Sequence, residues 1–153
     1  MIKDVFMKKV FVFLSFILFF GFGVFAKDYD VEFEYSMIFK SGKGSSGENV
    51  KSIVKVLEHE NTKTDFILPD FVFSEKMTIH SFKIDDVDFT KNADGSFSFS
   101  KDKFSSTDGK YEINGNNLNG TISSDGKINF TLTYKAGKMP FKLKVKYFGN
   151  EKF

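Results

Sequence analysis

The chain has 153 residues, with 22 lysines set against 20 carboxylates and no arginine, cysteine, tryptophan or glutamine. The lack of cysteine excludes a disulfide framework and any thiolate metal site. Three of the lysines and one aspartate lie in the first 26 residues, so the other 127 carry 19 charges of each sign, and a global electrostatic attraction to nucleic acid or anionic lipid is excluded with them.

The opening segment reads as a targeting signal. Lys3, Lys8 and Lys9 precede Val10–Phe20, a run that is apolar except for Ser15, and Val24-Phe25-Ala26 places small residues at both positions a signal peptidase reads. Gly21 and Gly23 interrupt the run, which favours a cleaved signal over a retained anchor. The expectation is cleavage between Ala26 and Lys27, export to the periplasm or beyond, no stable membrane insertion afterwards, and a single domain from 27 to 153.

Beyond the signal, alternation with period two dominates and no window has helical periodicity. Val31, Phe33, Tyr35, Met37 and Phe39 form one apolar face, followed by Ser41–Glu48, whose glycines and serines read as a flexible loop. Val50, Ser52, Val54 and Val56 predict a second strand ending near a reversal at Asn61-Thr62. Phe66–Leu68 predicts a third, stopped by Pro69, while Phe71–Glu75 fits either a short strand or a bent loop. The apolar parity slips between Ile79 and Phe82 and again between Ile84 and Val87, which predicts bulges that bend a strand. Asp94-Gly95 marks a hairpin turn, Phe97 and Phe99 lead the next strand, and Asn114–Asn117 reads as a further turn before Leu118, Gly120 and Ile122.

The last fifty residues hold the cleanest pattern. Ile128, Phe130, Leu132 and Tyr134 alternate with Asn129, Thr131 and Thr133; after Lys135–Lys138, Met139, Phe141, Leu143, Val145 and Tyr147 alternate with Lys142, Lys144 and Lys146. Eight to nine strands with mostly short connections make an all-β antiparallel up-and-down meander, and closing it into a barrel removes its edges. A two-sheet β-sandwich is the alternative architecture, because it produces the same alternation.

Specific chemistry is hard to find. A calcium loop begun at Asp86 would place Phe97 where a bidentate glutamate is needed. Gly42–Gly47 lacks the Gly-Lys-Ser/Thr order of a phosphate loop, and no Gly-x-Ser-x-Gly occurs. His59 and His80 are the only histidines, too few for a zinc site without a third soft ligand. The expectation is therefore a protein that is not an enzyme and uses no cofactor or metal. Lys142, Lys144 and Lys146 read as a solubilising strand face that also deters edge pairing. The inward aromatics are the candidate ligand-binding residues: Phe33, Tyr35, Tyr111, Phe130, Tyr134, Phe141 and Tyr147, with Phe97 beside them. A small eight-stranded barrel either fills its interior with such side chains or holds one small apolar guest.

The stretches "MTIHSFKIDDVDFTKNADGSFSFS" and "LNGTISSDGKINFTLTYKAGKMPFKLKVKYFG", with their Asp-Gly turns and the Gly120–Lys127 pattern, resemble the bacterial calycin-like family of small exported barrels. The resemblance spans Val31 to Phe148; the Gly-x-Trp of classical lipocalins has no counterpart in a chain without tryptophan. It implies an eight-stranded barrel and binding of a small hydrophobic molecule or lipid, and it transfers no catalytic residue. Three functions compete: an exported barrel binding such a molecule, a structural or protein-interaction domain with a filled core, and an outer-membrane barrel, which Gly149 and Glu151 disfavour by breaking the terminal alternation. No particular protein partner is indicated.

Overall fold

The computed structural model describes residues 25–58 and 63–152. The basic and apolar opening of the signal, His59 and the Asn61-Thr62 reversal lie outside the described residues. Ten strands follow in order: β1 (Phe25–Phe39), β2 (Gly42–Glu58), β3 (Lys63–Leu68), β4 (Phe71–Ser74), β5 (Met77–Ile79), β6 (Phe82–Lys91), β7 (Phe97–Thr107), β8 (Glu112–Ile122), β9 (Lys127–Ala136) and β10 (Phe141–Glu151). Eight of them close one antiparallel barrel, β1-β10-β9-β8-β7-β6-β3-β2, while β4 and β5 form a separate two-stranded hairpin. One closed sheet, not two stacked sheets, resolves the choice the alternation left open.

The terminal strands seal the barrel. Phe33 pairs with Tyr147, Tyr35 with Val145 and Met37 with Leu143 between β1 and β10; Tyr147 and Leu143 in turn face Phe130 and Tyr134 of β9. Period-two alternation puts every one of these side chains on the same side of the pleat. That side is the interior, where Val31, Phe33, Ile128, Phe130, Leu132, Tyr134, Leu143, Val145 and Tyr147 are all buried. Lys142, Lys144 and Lys146 stand exposed on the outer wall. An outer-membrane barrel turns its apolar band outward; this wall does the reverse.

Three local readings are corrected. Residues 42–48, expected as a loop, belong to β2: Gly47 pairs with Tyr35, Ser46 with Ser36 and Gly42 with Phe39. The reason is on the neighbouring strand. A side chain at Gly47 would come within 2.6 Å of the Tyr35 ring, and one at Gly44 would overlap the Phe39 ring. The glycines there are the bed on which β1 lays its aromatics, a packing use of strand glycine that mimics loop composition.

Asn114–Asn117, expected as a turn, lies inside β8. The register to β9 shifts between Asn116 and Asn119, and Asn117 has φ of 54°. It is a β-bulge, and it moves the buried face from Ile113 to Leu118, an odd spacing that unbroken pleating cannot produce. The turn falls earlier, where the Asp108 carboxylate accepts hydrogen bonds from the Lys110 and Tyr111 amides at 2.8 and 2.6 Å.

The two parity slips in residues 77–89 have different causes. The first is a corner: Ile79 ends β5, His80 and Ser81 are unpaired, and Phe82 opens β6 in the other sheet. The second is a bulge, as expected. Asp86 has φ of 55°, and the β3–β6 register shifts opposite it. Its amide donates to Asp65 Oδ1 at 2.9 Å, and Lys83 Nζ stands 3.3 Å from Asp65 Oδ2. This buried carboxylate, only 4% exposed, is thereby satisfied and pins the bulge.

Turns 40–41, 108–111 and 137–140 gather at one end of the barrel, called upper here, together with the β4–β5 hairpin. Phe71 and Ile79 of the hairpin pair with each other and are both buried. The Phe71 ring reaches Phe33 at 5.4 Å and Tyr35 at 4.8 Å, two strands round the barrel from β3. In the opposite direction, the His80 amide donates to Asp108 Oδ2 at 2.8 Å, in the turn after β7. Anchored on both sides, the hairpin lies across the upper end as a lid.

Candidate functional site

The interior is built from rings contributed by six strands and the lid. Tyr147 stacks on Phe130 with centroids 4.9 Å apart and planes 19° from parallel, and it meets Phe33 at 5.2 Å. Phe66 joins from β3, 4.6 Å from Phe99 and 5.5 Å from Phe130. Offset-stacked and edge-on contacts of this kind each add about 0.5–1.5 kcal/mol beyond area burial. The register makes the belt possible. Gly120 lies opposite both Phe99 and Phe130, and a side chain there would overlap the Phe130 backbone and the Asn129 carbonyl oxygen. Its absence lets those two rings meet at 5.7 Å.

Of the seven aromatics chosen from the sequence, Phe33, Phe130 and Tyr147 meet in this belt. Tyr134 is buried two inward positions further up β9, past Leu132, edge-on to Phe82 at 5.2 Å. Tyr35 is half-buried beneath the lid, against Phe71. Tyr111 and Phe141 pack against the edge of the core and are only half-buried. Tyr111 sits in the turn after β7, half-buried, with the Lys110 ammonium 5.2 Å over its ring. Phe141 packs on Phe39 at 5.2 Å and lines an outer cleft. The sequence reading missed Phe66, Phe71, Phe82 and Phe99 as interior partners. Phe71 lay in the stretch whose state was ambiguous, and Phe82 followed a parity slip, so alternation gave no direction for either.

The polar content of the interior is sparse and specific. The Thr64 hydroxyl donates to the Leu57 carbonyl at 2.8 Å. Tyr134 and Tyr147 are 2% and 1% exposed, and neither hydroxyl has a hydrogen-bond partner among the described residues. Burial alone pushes the Tyr147 phenol well above its usual range. For Tyr134, burial acts first, then the charges of Tyr147 and Asp108. Tyr29, near the other end, is pushed up to about 12 by burial and by Glu151 and Glu58. All three therefore stay neutral phenols at ordinary pH.

On the outer wall, a cleft of about 270 Å³ lies between Phe39, Pro140 and Phe141, rimmed by Lys40, Lys135 and Lys142. A second of about 210 Å³ opens beside it, over Asn114, Asn116 and Thr133. Among the described residues, no three histidine, aspartate or glutamate side chains come together to hold a metal ion. His80 is exposed.

A crystal structure of a putative outer membrane protein from Bacteroides fragilis NCTC 9343 is similar, with a TM-score of 0.57 and 19% identity over 88% of this chain. This chain spans 52% of that protein's length, and at such identity the likeness is one of fold. No curated protein matches the sequence. The family model described as the calycin-like beta-barrel domain matches residues 28–150, nearly the whole of the closed barrel, and the chain belongs to that family.

Proposed function

We propose that this is an exported barrel that takes a small hydrophobic molecule into its interior from the upper end, beneath the β4–β5 hairpin, and performs no catalysis. The observation that carries the reading is the pair of buried hydroxyls on Tyr134 and Tyr147. Leaving a buried donor unpaired costs about 1–3 kcal/mol, a cost that phenylalanine at either position would avoid. A guest that accepts hydrogen bonds gives the phenols a use. The lid supplies the route: it shares no ladder with any barrel strand, so it can swing away without breaking the barrel. Export rests on the basic, apolar opening that ends at Ala26.

Native mass spectrometry of the protein purified from its own cells tests the reading. A bound species of constant mass, removed by organic extraction, is the expected result. A ligand-free mass together with no enhancement of Nile red fluorescence would overturn it. A second reading, a structural or interaction domain with a filled core, is favoured by the belt itself, since Phe33, Phe66, Phe99, Phe130 and Tyr147 already meet one another. It is the reading that survives if no guest is found. Amino-terminal sequencing of the exported form checks cleavage between Ala26 and Lys27.

A further inference from the structure

We infer that the guest is uncharged and carries a hydrogen-bond acceptor, a carbonyl or hydroxyl group on a hydrophobic body, and is not a carboxylate or an amine; this rests on the interior-binding reading above. The charge of the interior sets this preference. Among the described buried residues the single ionisable group of ordinary pH is Asp65. It lies between the inward Thr64 and Phe66 on the opposite side of the pleat, and Lys83 and the Asp86 amide already hold it. The β10 lysines stand on the outer wall. An anionic headgroup carried inside would meet no cation, and an ammonium group no free carboxylate. An ion buried without a counter-ion is strongly disfavoured against the same ion in water.

What the interior does offer is neutral donors: the phenols of Tyr134 and Tyr147, with that of Tyr29 nearer the other end. Tyr134 and Tyr147 belong to the paired strands β9 and β10, both side chains are buried on the inward face, and neither hydroxyl has a hydrogen-bond partner among the described residues. Asp108, at the upper end, is held below the usual carboxylate range: burial alone would raise it, but the amides of Tyr111, Lys110 and His80 outweigh that. It is therefore charged at neutral pH, and that charge reaches the Tyr134 phenol. The upper-end turns carry Lys40, Lys110 and Lys138 as well as Asp108, so the discrimination against ions rests on the interior, where an entering carboxylate would find no cation among the described buried residues.

A matched series tests this: 1-dodecanol, 2-dodecanone, dodecanoate, dodecylammonium and dodecane, each titrated into the full exported protein at neutral pH by calorimetry. Dodecanol and dodecanone are expected to bind at least about tenfold more tightly than either ion, and the Tyr134→Phe, Tyr147→Phe double variant to lose about tenfold of its affinity for dodecanone, in keeping with one or two lost hydrogen bonds. The variant's thermal unfolding is recorded alongside to show that it folds. Dodecanoate or dodecylammonium binding as tightly as dodecanol would overturn the inference while leaving interior binding intact. Dodecane binding as tightly as dodecanone, or a double variant that binds dodecanone like the parent, would remove the role of the phenols. Binding of none of the five would overturn the interior-binding reading as well.

Discussion

Tyr147 illustrates how one atom can separate stability from use. Its ring is held between Phe33 and Phe130, and those contacts would survive the loss of the hydroxyl. Tyr147→Phe is therefore expected to raise the stability of the empty barrel by about 1 kcal/mol, since it removes a buried donor that has no acceptor among the described residues; urea unfolding followed by circular dichroism checks it, and a loss of stability would mean that the hydroxyl is satisfied. The same phenols predict a response to alkali. Tyr29 is raised to about 12, and Tyr134 and Tyr147 are raised as well. Their stabilisation is complete below the unfolded value of about 10 and is lost as pH rises through the folded values, because the unfolded chain releases these protons first. The urea midpoint should hold steady to about pH 9 and fall steeply above 10, with the phenolate absorbance of Tyr29, Tyr134 and Tyr147, separated by Tyr→Phe difference spectra, appearing together with unfolding and not before it. Gly120 carries the opposite lesson. Gly120→Ala would drive a methyl group into the Asn129 carbonyl and the Phe130 backbone, neither of which can yield as a flexible side chain would. A loss of about 1–3 kcal/mol is expected from such overpacking, read from the same unfolding curves.

At the scale of elements, the lid and the strands around it behave differently. Among the described residues the hairpin is anchored by buried Phe71 and Ile79, by Met77 against the core, and by the His80 amide to Asp108, the Ser81 amide to Asp70 at 2.8 Å and the Ser81 hydroxyl to the Leu68 carbonyl at 2.6 Å. Segments held this lightly open below the global unfolding energy. Asp108 carries the tether across the end of the barrel, and its pKa is lowered in the fold. Its contribution is complete above the unfolded carboxylate value of about 4 and is lost as pH falls through the folded one. Asp108→Asn imitates the protonated form at neutral pH. It should reduce amide protection at Ile79–Ser81 about tenfold in hydrogen exchange while leaving β9 and β10 unchanged; equal protection in both proteins would show that the apolar anchors alone hold the lid. Much of this element scale was legible beforehand. The β9–β10 ribbon follows its alternation residue by residue, and the slip at Ile84–Val87 is the expected bulge at Asp86. The glycine-rich start of β2 was not legible, because what makes it a strand is the Tyr35 and Phe39 rings of another strand. The Asn117 bulge was read as a turn because asparagine tolerates positive φ equally well in both.

For the whole molecule, closure joins the ends of the domain: β1 pairs with β10 from Tyr29–Glu151 to Phe39–Phe141. Each of those pairs spans more than a hundred residues of chain, and the rest of the meander must be in place before they can register. Folding on the scale of about milliseconds to seconds is expected from so much non-local pairing, with Val145→Ala, on the last strand, acting chiefly on the unfolding rate if β1–β10 zips late; stopped-flow measurements that placed the whole effect of V145A in the folding rate would put this seam in the nucleus instead. Alternation in the sequence already specified an all-β meander and the inward faces of β1, β9 and β10, because alternation is a local property of the pleat and burial of one face follows from it, but it left barrel and sandwich open. The composition also specified the balance of charge, 19 lysines against 19 carboxylates once the opening 26 residues are set aside. The folded chain was needed to show that residues 71–79 leave the barrel to cover its end, that Phe33, Phe130 and Tyr147 meet in one belt, and that the buried Tyr134 and Tyr147 hydroxyls have no hydrogen-bond partner among the described residues. Those outcomes depend on which side chains from distant strands arrive at the same height in a sheared, closed sheet, and no window of neighbouring residues contains that distance.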